Sequence, residues 1–546
     1  MQVLSLVALA LAVSAAAPEA ENPRVTPFES DVDLPHQGKI DELVFGRLKQ
    51  LGIEPARVCS DEVFLRRVFL DVIGTLPTSQ EARQFLMDKD PNKRRALVER
   101  LLGREEFADY WAMKWSDLLR IKAEFPINLW PNAAQAYHRW IRASIRDNMP
   151  YDRFVREMLT ANGSNFRVPQ VNFYRAIQSR EPRAIAQAVA LTFMGVRAEK
   201  WPAERLSGMA VFFSRLSYKA TREWKEEIVV FDPDKPPVMG DGGAAPKAVF
   251  PDGTPAQLAP DQDPRKVFAD WLISPHNPWF ARNIVNRIWS WLLGRGIIHE
   301  PDDIRPDNPP SNPELLAYLE RELVASRYDL KHIYRLVLNS KTYQLSSIPR
   351  SDRPEAAANF AAYPLRRLEA EVLIDALNQI TGTTERYSSP VPEPFTFIPE
   401  GQRSIALPDA TITSAFLEQF GRPSRDTGLE SERSNRITAS QRLHLLNSSH
   451  IQRKIEQSPK LAALLESAAP KGSRKPGKRG RPAASAVSRE PGEVVAELYL
   501  TILSRFPTQA ELKAVAEYAQ AASSRRDAAV DLAWALINSA EFLYRH

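Results

Sequence analysis

Four polar residues share one face of a predicted helix at 274–296, and their types are those that bind anions and sugars. They are Arg282, Asn283, Asn286 and Arg287. Apolar residues fill the opposite half of the helix. Asn277 suits the N-cap, Pro278 the first helical position and Gly294 the position after the last turn. The polar face could bind a carboxylate, a phosphate or a sugar. Otherwise it is solvated, or hydrogen-bonded to a neighbouring loop.

An acidic segment at 299–308 follows this helix directly and concentrates oxygen ligands. Its carboxylates are Glu300, Asp302, Asp303 and Asp307, with His299 beside them. Hard cations such as Ca²⁺ take such ligands, and a desolvated carboxylate pair can do acid–base work. The spacing is not that of an EF-hand loop, and prolines interrupt it as in solvated turns. Asp302, Asp303 and His299 are therefore weak catalytic candidates, and no metal site is predicted.

Several chemistries are excluded by what the sequence lacks. It contains no G-x-S-x-G, H-E-x-x-H or G-x-G-x-x-G motif. The eight histidines are scattered, and the closest pair, His444 and His450, would lie on different faces of one helix. The single cysteine, Cys59, cannot form an internal disulfide, a cysteine zinc site or the C-x-x-C-H attachment of haem c. No cofactor is predicted.

The positive charge of the chain is concentrated in one stretch. The chain has 546 residues and a net charge of +5 at pH 7. Six basic residues occur with no acidic residue between them: Lys471, Arg474, Lys475, Lys478, Arg479 and Arg481. Without these the chain is close to neutral, so the charge belongs to a linker and not to a nucleic-acid-binding surface. We expect no nucleic-acid partner.

The N-terminus has the pattern of an export signal. An apolar run at 3–13 precedes small residues at 14–17, like the core and cleavage site of a signal peptide. We therefore predict a signal peptide at 1–20 and a linker at 21–35; the alternative is a buried N-terminal helix. No other stretch is apolar enough to cross a membrane. The expected protein is exported, periplasmic or envelope-associated, with no transmembrane span after signal cleavage.

A mainly α, multi-helical protein of two domains must position the candidate residues. The composition, 44% hydrophobic and 25% charged, is that of a globular protein. Helix formers dominate, and 43 prolines interrupt them. We predict helical domains at 36–232 and 264–458, joined by a Pro/Gly/Asp linker at 233–263. A disordered basic insert at 468–487 and a C-terminal helical unit at 492–546 follow.

Repeated helical hairpins are the predicted packing units. Segments 70–81 and 500–511 both contain Pro-Thr followed by Glu three residues after the Thr, a capping box. The segment 330–343 has a similar ending. Nothing in the repeat can do chemistry, which favours a structural role. Trp111 and Trp115 could stack on a sugar, but their spacing favours a core stripe.

Two sets of motifs resemble a pair of bacterial domains. R-R-V-F-L-D-V-I-G-T-L at 66–76 and E-F-A-D-Y-W-A-M-K-W at 106–115 resemble the PSCyt domain, a cytochrome-associated domain described from planctomycete proteins. A-D-W-L-I-S-P-H-N-P-W-F-A-R-N-I-V-N-R-I-W at 269–289 and S-K-T-Y-Q-L-S-S at 340–347 resemble its usual partner, the PSD domain. Both are domains of unknown function.

The resemblance implies an exported protein and raises the question of haem. Family members are often joined to c-type cytochrome modules. Many carry C-x-x-C-H in the first domain, just after a helix that ends in Gly-Val. Here Gly195 and Val196 are followed by R-A-E-K-W-P. The chain is therefore a variant without the haem-binding segment, and haem binding is not carried over to it.

Two functions remain open from the sequence. The first is an exported binding or scaffold component of a cell-envelope complex, with a cytochrome-bearing or enzymatic protein as partner. The alternative is an envelope hydrolase or lyase that uses Asp302 and Asp303 with Arg287 or His299.

Overall fold

The computed structural model describes residues 25–32, 38–236, 247–259, 261–467 and 490–546. Helices make up 54% of it and strands 5%, which confirms the mainly α, multi-helical class. The predicted signal peptide and basic insert lie outside the described residues, as do parts of both predicted linkers. Among the described residues, no helix combines the length and the apolar character needed to cross a membrane.

The first predicted domain is built around one wholly buried helix. Its helices are α1 (Lys39–Leu51), α2 (Asp61–Ile73), α3 (Ser79–Met87), α4 (Lys93–Leu102), α5 (Glu105–Leu118), α6 (Pro131–Arg146), α7 (Tyr151–Thr160), α8 (Asn172–Arg175), α9 (Pro182–Val189) and α10 (Ala203–Ala210). In α2, the Ser60 side chain caps the N-terminus by accepting from the Val63 amide at 3.3 Å. Every α2 residue from Val63 onward is buried, so this helix forms the centre of the domain.

The second half continues the helical pattern. Its helices are α11 (Pro264–Leu272), α12 (Phe280–Leu293), α13 (Pro313–Ala325), α14 (Leu330–Leu338), α15 (Glu355–Ala358), α16 (Ala370–Thr381), α17 (Ala415–Gln419), α18 (Ala439–Asn447), α19 (Ser449–Glu456), α20 (Pro459–Ser467), α21 (Pro491–Leu503), α22 (Gln509–Ala521), α23 (Arg525–Ile537) and α24 (Ala540–Leu543). Helix α12 contacts α13, α14 and the segment after α9, so it links the two halves.

Two small antiparallel sheets complete the fold. The strands β1 (Gly163–Ser164), β2 (Leu216–Ala220) and β3 (Glu227–Phe231) pair in the order β1-β3-β2. The strands β4 (Arg366–Arg367) and β5 (Tyr544–Arg545) form the second sheet, in which Arg366 pairs with Arg545.

The predicted hairpin repeat is present in the structure. Thr78 caps α3 and Thr508 caps α22, each in a reciprocal capping box with the Glu three residues later. The helix before each box ends in a left-handed residue, Gly74 at φ 57° and Ser504 at φ 61°. The two copies also touch, because Arg66 of α2 donates to the Ile502 carbonyl at 2.8 Å.

The two halves share one hydrophobic core. Trp111 lies 5.2 Å from Trp291 between ring centroids, and Trp115 lies 6.1 Å from the same ring. Trp111 and Trp115 are 2% and 3% exposed, so they pack in the core as their spacing predicted. Cys59 is also buried. Helix α12, which carries Trp291 and the candidate residues of the polar face, therefore packs against α5 of the first half.

Buried ion pairs also join the halves. Arg545 donates to Asp71 at 2.9 Å and is paired with Glu369. Glu369 accepts from Lys114 of α5 at 2.7 Å. All four side chains are buried. Their charges compensate one another away from water, which a buried ion needs.

Candidate functional site

Helix α12 carries the predicted polar face and is buried on both sides. Its regular part begins at Phe280, two residues after Pro278, but Asn277 accepts from the amides of Trp279 and Phe280 at 3.0 and 3.1 Å, as expected of the predicted N-cap. It ends as predicted at Gly294, whose φ of 70° suits glycine.

The two asparagines of this face hold neighbouring loops. Asn283 donates to the Thr192 carbonyl at 3.0 Å. Asn286 donates to the Ile298 carbonyl at 3.0 Å and accepts from the Ile298 amide at 2.8 Å. Both side chains are buried. For these residues the structure therefore shows the predicted alternative in which the face is hydrogen-bonded to loops.

A glycine turn brings these two loops together. The segment Ala190–Met194 is a π-helix, a feature that is frequent at functional sites. Gly195 follows it at φ 66°, and its carbonyl accepts from the Ile304 amide at 2.9 Å. A Cβ at Gly195 would lie 2.6 Å from Asn283 Oδ1. The close approach therefore requires glycine.

Arg287 of α12 and Asp302 of the acidic segment form a buried ion pair. Arg287 Nη2 donates to Asp302 Oδ1 at 2.8 Å, and the two side chains are 1% and 2% exposed. Asp302 Oδ2 accepts from the Glu430 amide at 2.6 Å. Burial raises the pKa of the Glu430 carboxyl, which accepts from Trp291 at 3.0 Å. Both oxygens of Asp302 are thus engaged inside the protein.

Asp303 and His299 lie in a different environment from Asp302. Asp303 is half-buried and paired with Arg305 at 3.1 Å, and Arg305 also pairs with Asp307 at 3.1 Å. His299 is half-exposed, 3.6 Å from Glu300, and burial together with nearby Arg295 lowers its pKa. The described residues contain no group of three or more His, Cys, Asp or Glu placed to hold a metal ion.

A cleft of about 570 Å³, which we name the cationic cleft, opens beside this loop. Its walls are the segments 196–205, 278–282 and 298–310. Two of the predicted candidates, Arg282 and Asp303, line it. The volume is within the range of about 300–1,000 Å³ that is typical of small-molecule sites.

The basic residues of the cationic cleft fall into two groups. Arg282 is paired with Glu320 at 2.7 Å, and Arg305 is paired with the aspartates described above. Arg197, Lys200 and Arg205 have no carboxylate within ion-pair distance among the described residues. None of the three is in an ion pair, although Asp252 acts on Arg205 from nearby, and together they favour negative charge in the cleft.

Two tryptophans lie close to one of these arginines. The Arg205 guanidinium lies 4.1 Å from the Trp201 ring centroid and 5.9 Å from that of Trp279. Its Nε donates to the Pro251 carbonyl at 2.8 Å. Burial lowers the pKa of Arg205, and the nearby Asp252 opposes that shift. Both indoles are half-buried and line the cleft, so it combines cations with apolar surface.

The residues after Gly195 and Val196, where a C-x-x-C-H segment would stand, do not fit covalent haem. The segment after Gly195 turns through Ala198–Lys200 into Trp201 and offers neither a thiol nor an imidazole. The one cysteine of the chain, Cys59, is buried in the core of the first half. The donor set beside the cleft is instead guanidinium, ammonium and indole.

Sequence reasoning missed the three unpaired cations and misplaced two histidines. Arg197, Lys200 and Arg205 occur among acidic residues in the sequence, so their pattern does not indicate a basic site. The signal that could have found them was their position, directly after Gly195 and Val196, where the C-x-x-C-H segment is missing. The prediction for His444 and His450 was wrong, because Ser448 starts a new helix between them. Their ring centroids are 5.7 Å apart. The signal was Ser448 itself, a favourable N-cap.

Two family models match the chain, in the order that its motifs indicated. PSCyt2, described as a protein of unknown function (DUF1549), matches residues 39–200. PSD1, described as a protein of unknown function (DUF1553), matches residues 264–519. No curated protein and no solved structure matches the chain. With both models matched and a single cysteine present, the chain belongs to the family that pairs PSCyt2 with PSD1, as a variant without the C-x-x-C-H segment.

Proposed function

We propose that this chain is an exported binding component of a cell-envelope complex and that the cationic cleft is its ligand site. One observation carries the proposal: Arg197, Lys200 and Arg205 face the cleft without acidic partners, beside two indoles. Three basic side chains in one cleft attract anionic ligands to it and so favour their binding. The protein would act without covalent haem.

The alternative, a hydrolase or lyase, finds less support in the same geometry. An acid–base pair needs carboxylates that reach the substrate. Asp302 uses both oxygens internally, and Asp303 faces the cleft already paired with Arg305. The substitution Asp303→Asn separates the two functions. A binding protein should keep its ligand affinity within about threefold, whereas an enzyme should lose turnover by 10²-fold or more.

An exposed aromatic patch supports the proposed protein partner. Trp130 lies 6.4 Å from Trp224 and 5.4 Å from Phe395 between ring centroids. Trp224 is 66% exposed and Phe395 45%. Lys225 lies 5.4 Å from both indole centroids. Aromatic residues in exposed clusters are the usual anchors of protein interfaces.

Capture from the native envelope tests export and partner binding together. The tagged full chain would be isolated from the envelope fraction, and mass spectrometry would identify its N-terminus and the proteins retained with it. We expect cleavage near residues 16–17 and a protein partner. Trp224→Ala should reduce retention of that partner at least tenfold, while Met87→Ala, which removes an isolated side chain that is 67% exposed, should not. Recovery in the cytoplasmic fraction with an intact N-terminus would refute export.

A further inference from the structure

The free cations of the cationic cleft lie on a single wall. Arg197 precedes the short turn Ala198–Lys200, Lys200 is its last residue, and Arg205 follows on α10. The facing loop carries Asp303 and Asp307, but both aspartates are paired with Arg305. Arg305 balances only one of these two aspartates, so the facing loop keeps one negative charge, and the three cations of this wall still exceed it. A cleft with low-dielectric walls concentrates that field on whatever enters it.

The polar groups that this wall offers to a ligand are hydrogen-bond donors. Guanidinium, ammonium and indole N–H groups donate and do not accept. Arg197 Nε is buried and has no hydrogen-bond partner among the described residues. A matching ligand must supply several acceptors close together. A carboxylate, a sulfate or a phosphate does so, and its oxygens match the planar fork of an arginine.

The indoles add a requirement for apolar surface. Trp201 and Trp279 both lie within 6 Å of the Arg205 guanidinium, and both are half-buried. An isolated inorganic anion would leave uncovered the parts of these indoles that Arg205 does not already contact. A ligand with a flat, partly apolar ring can cover an indole while its charged substituent meets the arginine. The cleft volume of about 570 Å³ leaves room for such a ring.

We propose that the cationic cleft binds a sugar ring that carries an oxyanion, a carboxylate, sulfate or phosphate group, through Arg197, Lys200 and Arg205. Trp201 and Trp279 cover the ring. This inference rests on the proposed function, since it names the ligand class of the same site. It assigns Arg305 and Arg282 no part in charge recognition, because each already has a carboxylate partner.

Isothermal titration calorimetry on the mature full-length protein tests the ligand class with matched probes. D-glucuronate has the ring and the charge, D-glucose has the ring alone, and acetate has the charge alone. We expect glucuronate to bind at least tenfold more tightly than either. Glucose 6-sulfate and glucose 6-phosphate then show which oxyanion is preferred, and tighter binding of either supports the proposal. Raising the salt concentration should weaken the charged probes and leave glucose unchanged.

Two variants locate the binding in the cleft. Lys200→Gln removes an exposed charge without disturbing the core, and Arg205→Gln removes the arginine beside the indoles. Each should weaken glucuronate at least tenfold. Arg153→Gln is the control, since Arg153 is 65% exposed on α7 and pairs only with Glu157 of its own helix.

The possible failures are distinguishable. If glucose equals glucuronate, the oxyanion requirement is wrong and the binding function stands. If acetate equals glucuronate, the ring requirement is wrong. If both variants bind like the wild type, the site is elsewhere. If none of the sugars binds, the proposed ligand site fails together with this inference.

Discussion

Arg287 and Asp302 illustrate what a buried charge needs. Each is almost fully enclosed, and the pair is completed by Asn283 and by the Glu430 amide. Breaking such a pair leaves the remaining charge without water or a partner, which costs far more than breaking an exposed pair. The role of this pair is to fix the loop that forms one wall of the cationic cleft.

Replacing one member of the pair should destabilise the protein strongly. We expect Arg287→Met to lower the free energy of unfolding by about 3–5 kcal/mol, because Asp302 stays buried without its cation. Urea unfolding followed by circular dichroism measures this. Arg305→Met removes a side chain that is 45% exposed and should cost about 0–1 kcal/mol. Equal losses in the two variants would contradict the buried-pair interpretation.

His138 should make stability depend on pH. The side chain is buried on α6, and burial with the nearby charge of Arg425 lowers its pKa to about 3. Below about pH 6.5 the unfolded state binds a proton that the folded state does not, so stability falls as the pH falls. The slope from His138 should be about 0.7 kcal/mol per pH unit at pH 6.5, where half of the unfolded chains carry the proton, and about 1.4 near pH 5.

The variant His138→Leu should remove that contribution. Unfolding free energies measured by urea titration at several pH values would give the slope, and His276→Leu, at an exposed position, is the control. An unchanged slope in His138→Leu would show that the ring is protonated in the folded protein.

The sequence predicted the residue types of the site better than their environments. The polar face of α12 and the adjacent carboxylates were visible as patterns. Their burial was not, because neighbouring loop residues such as Asp302 and Asp303 can point to opposite sides. Glu430, the partner that completes the buried pair, lies 128 residues from Asp302. No local pattern indicates such a contact.

At the scale of elements, Gly195 lies where three parts of the fold meet: the π-helical segment, the loop that carries Asp302, and α12. Gly195 ends the π-helical segment, accepts from the loop that carries Asp302 and lies against Asn283 of α12. The left-handed backbone and the short distances both oppose a side chain there.

Adding a methyl group at this glycine should therefore destabilise the site. We expect Gly195→Ala to cost at least about 1–2 kcal/mol from the backbone alone. Gly46→Ala is the matched control, since Gly46 is inside α1 with no atom within 4 Å of a built Cβ, and should stabilise by about 0.5–1 kcal/mol. Thermal unfolding of both variants measures the difference. Similar shifts in the two would remove the argument for close approach.

Element boundaries were predictable where a side chain caps the helix. The boxes at Thr78 and Thr508 follow from local sequence and are present. Asn277 likewise accepts from the two amides expected of an N-cap, although the regular part of α12 begins at Phe280. The break between α18 and α19 was not predicted, although Ser448 between them is a favourable N-cap. A capping side chain therefore marks where a helix starts in the sequence, but the first residue with regular helical backbone can lie further along the chain.

At the scale of the whole molecule, we expect the shared core to make the two matched regions unfold as one unit. Lys114 and Asp71 of the first half are neutralised by Glu369 and Arg545 of the second. Scanning calorimetry should therefore show one heat-absorption peak for the full chain. Arg545→Met should lower its temperature without splitting it. Two separate peaks in the wild type would indicate independent domains.

The pairing of Asp71 with Arg545 also dictates an order of events during synthesis. The two residues are separated by 474 positions. At about 5–20 residues per second, a ribosome needs roughly 25 to 95 seconds to deliver Arg545 after Asp71. During that interval the Asp71 carboxylate, in the last turn of α2, lacks the Arg545 cation, whereas its other partners Tyr343, Tyr363 and Arg366 are made earlier. The buried network around Asp71 is therefore completed only when nearly all of these residues have been synthesised.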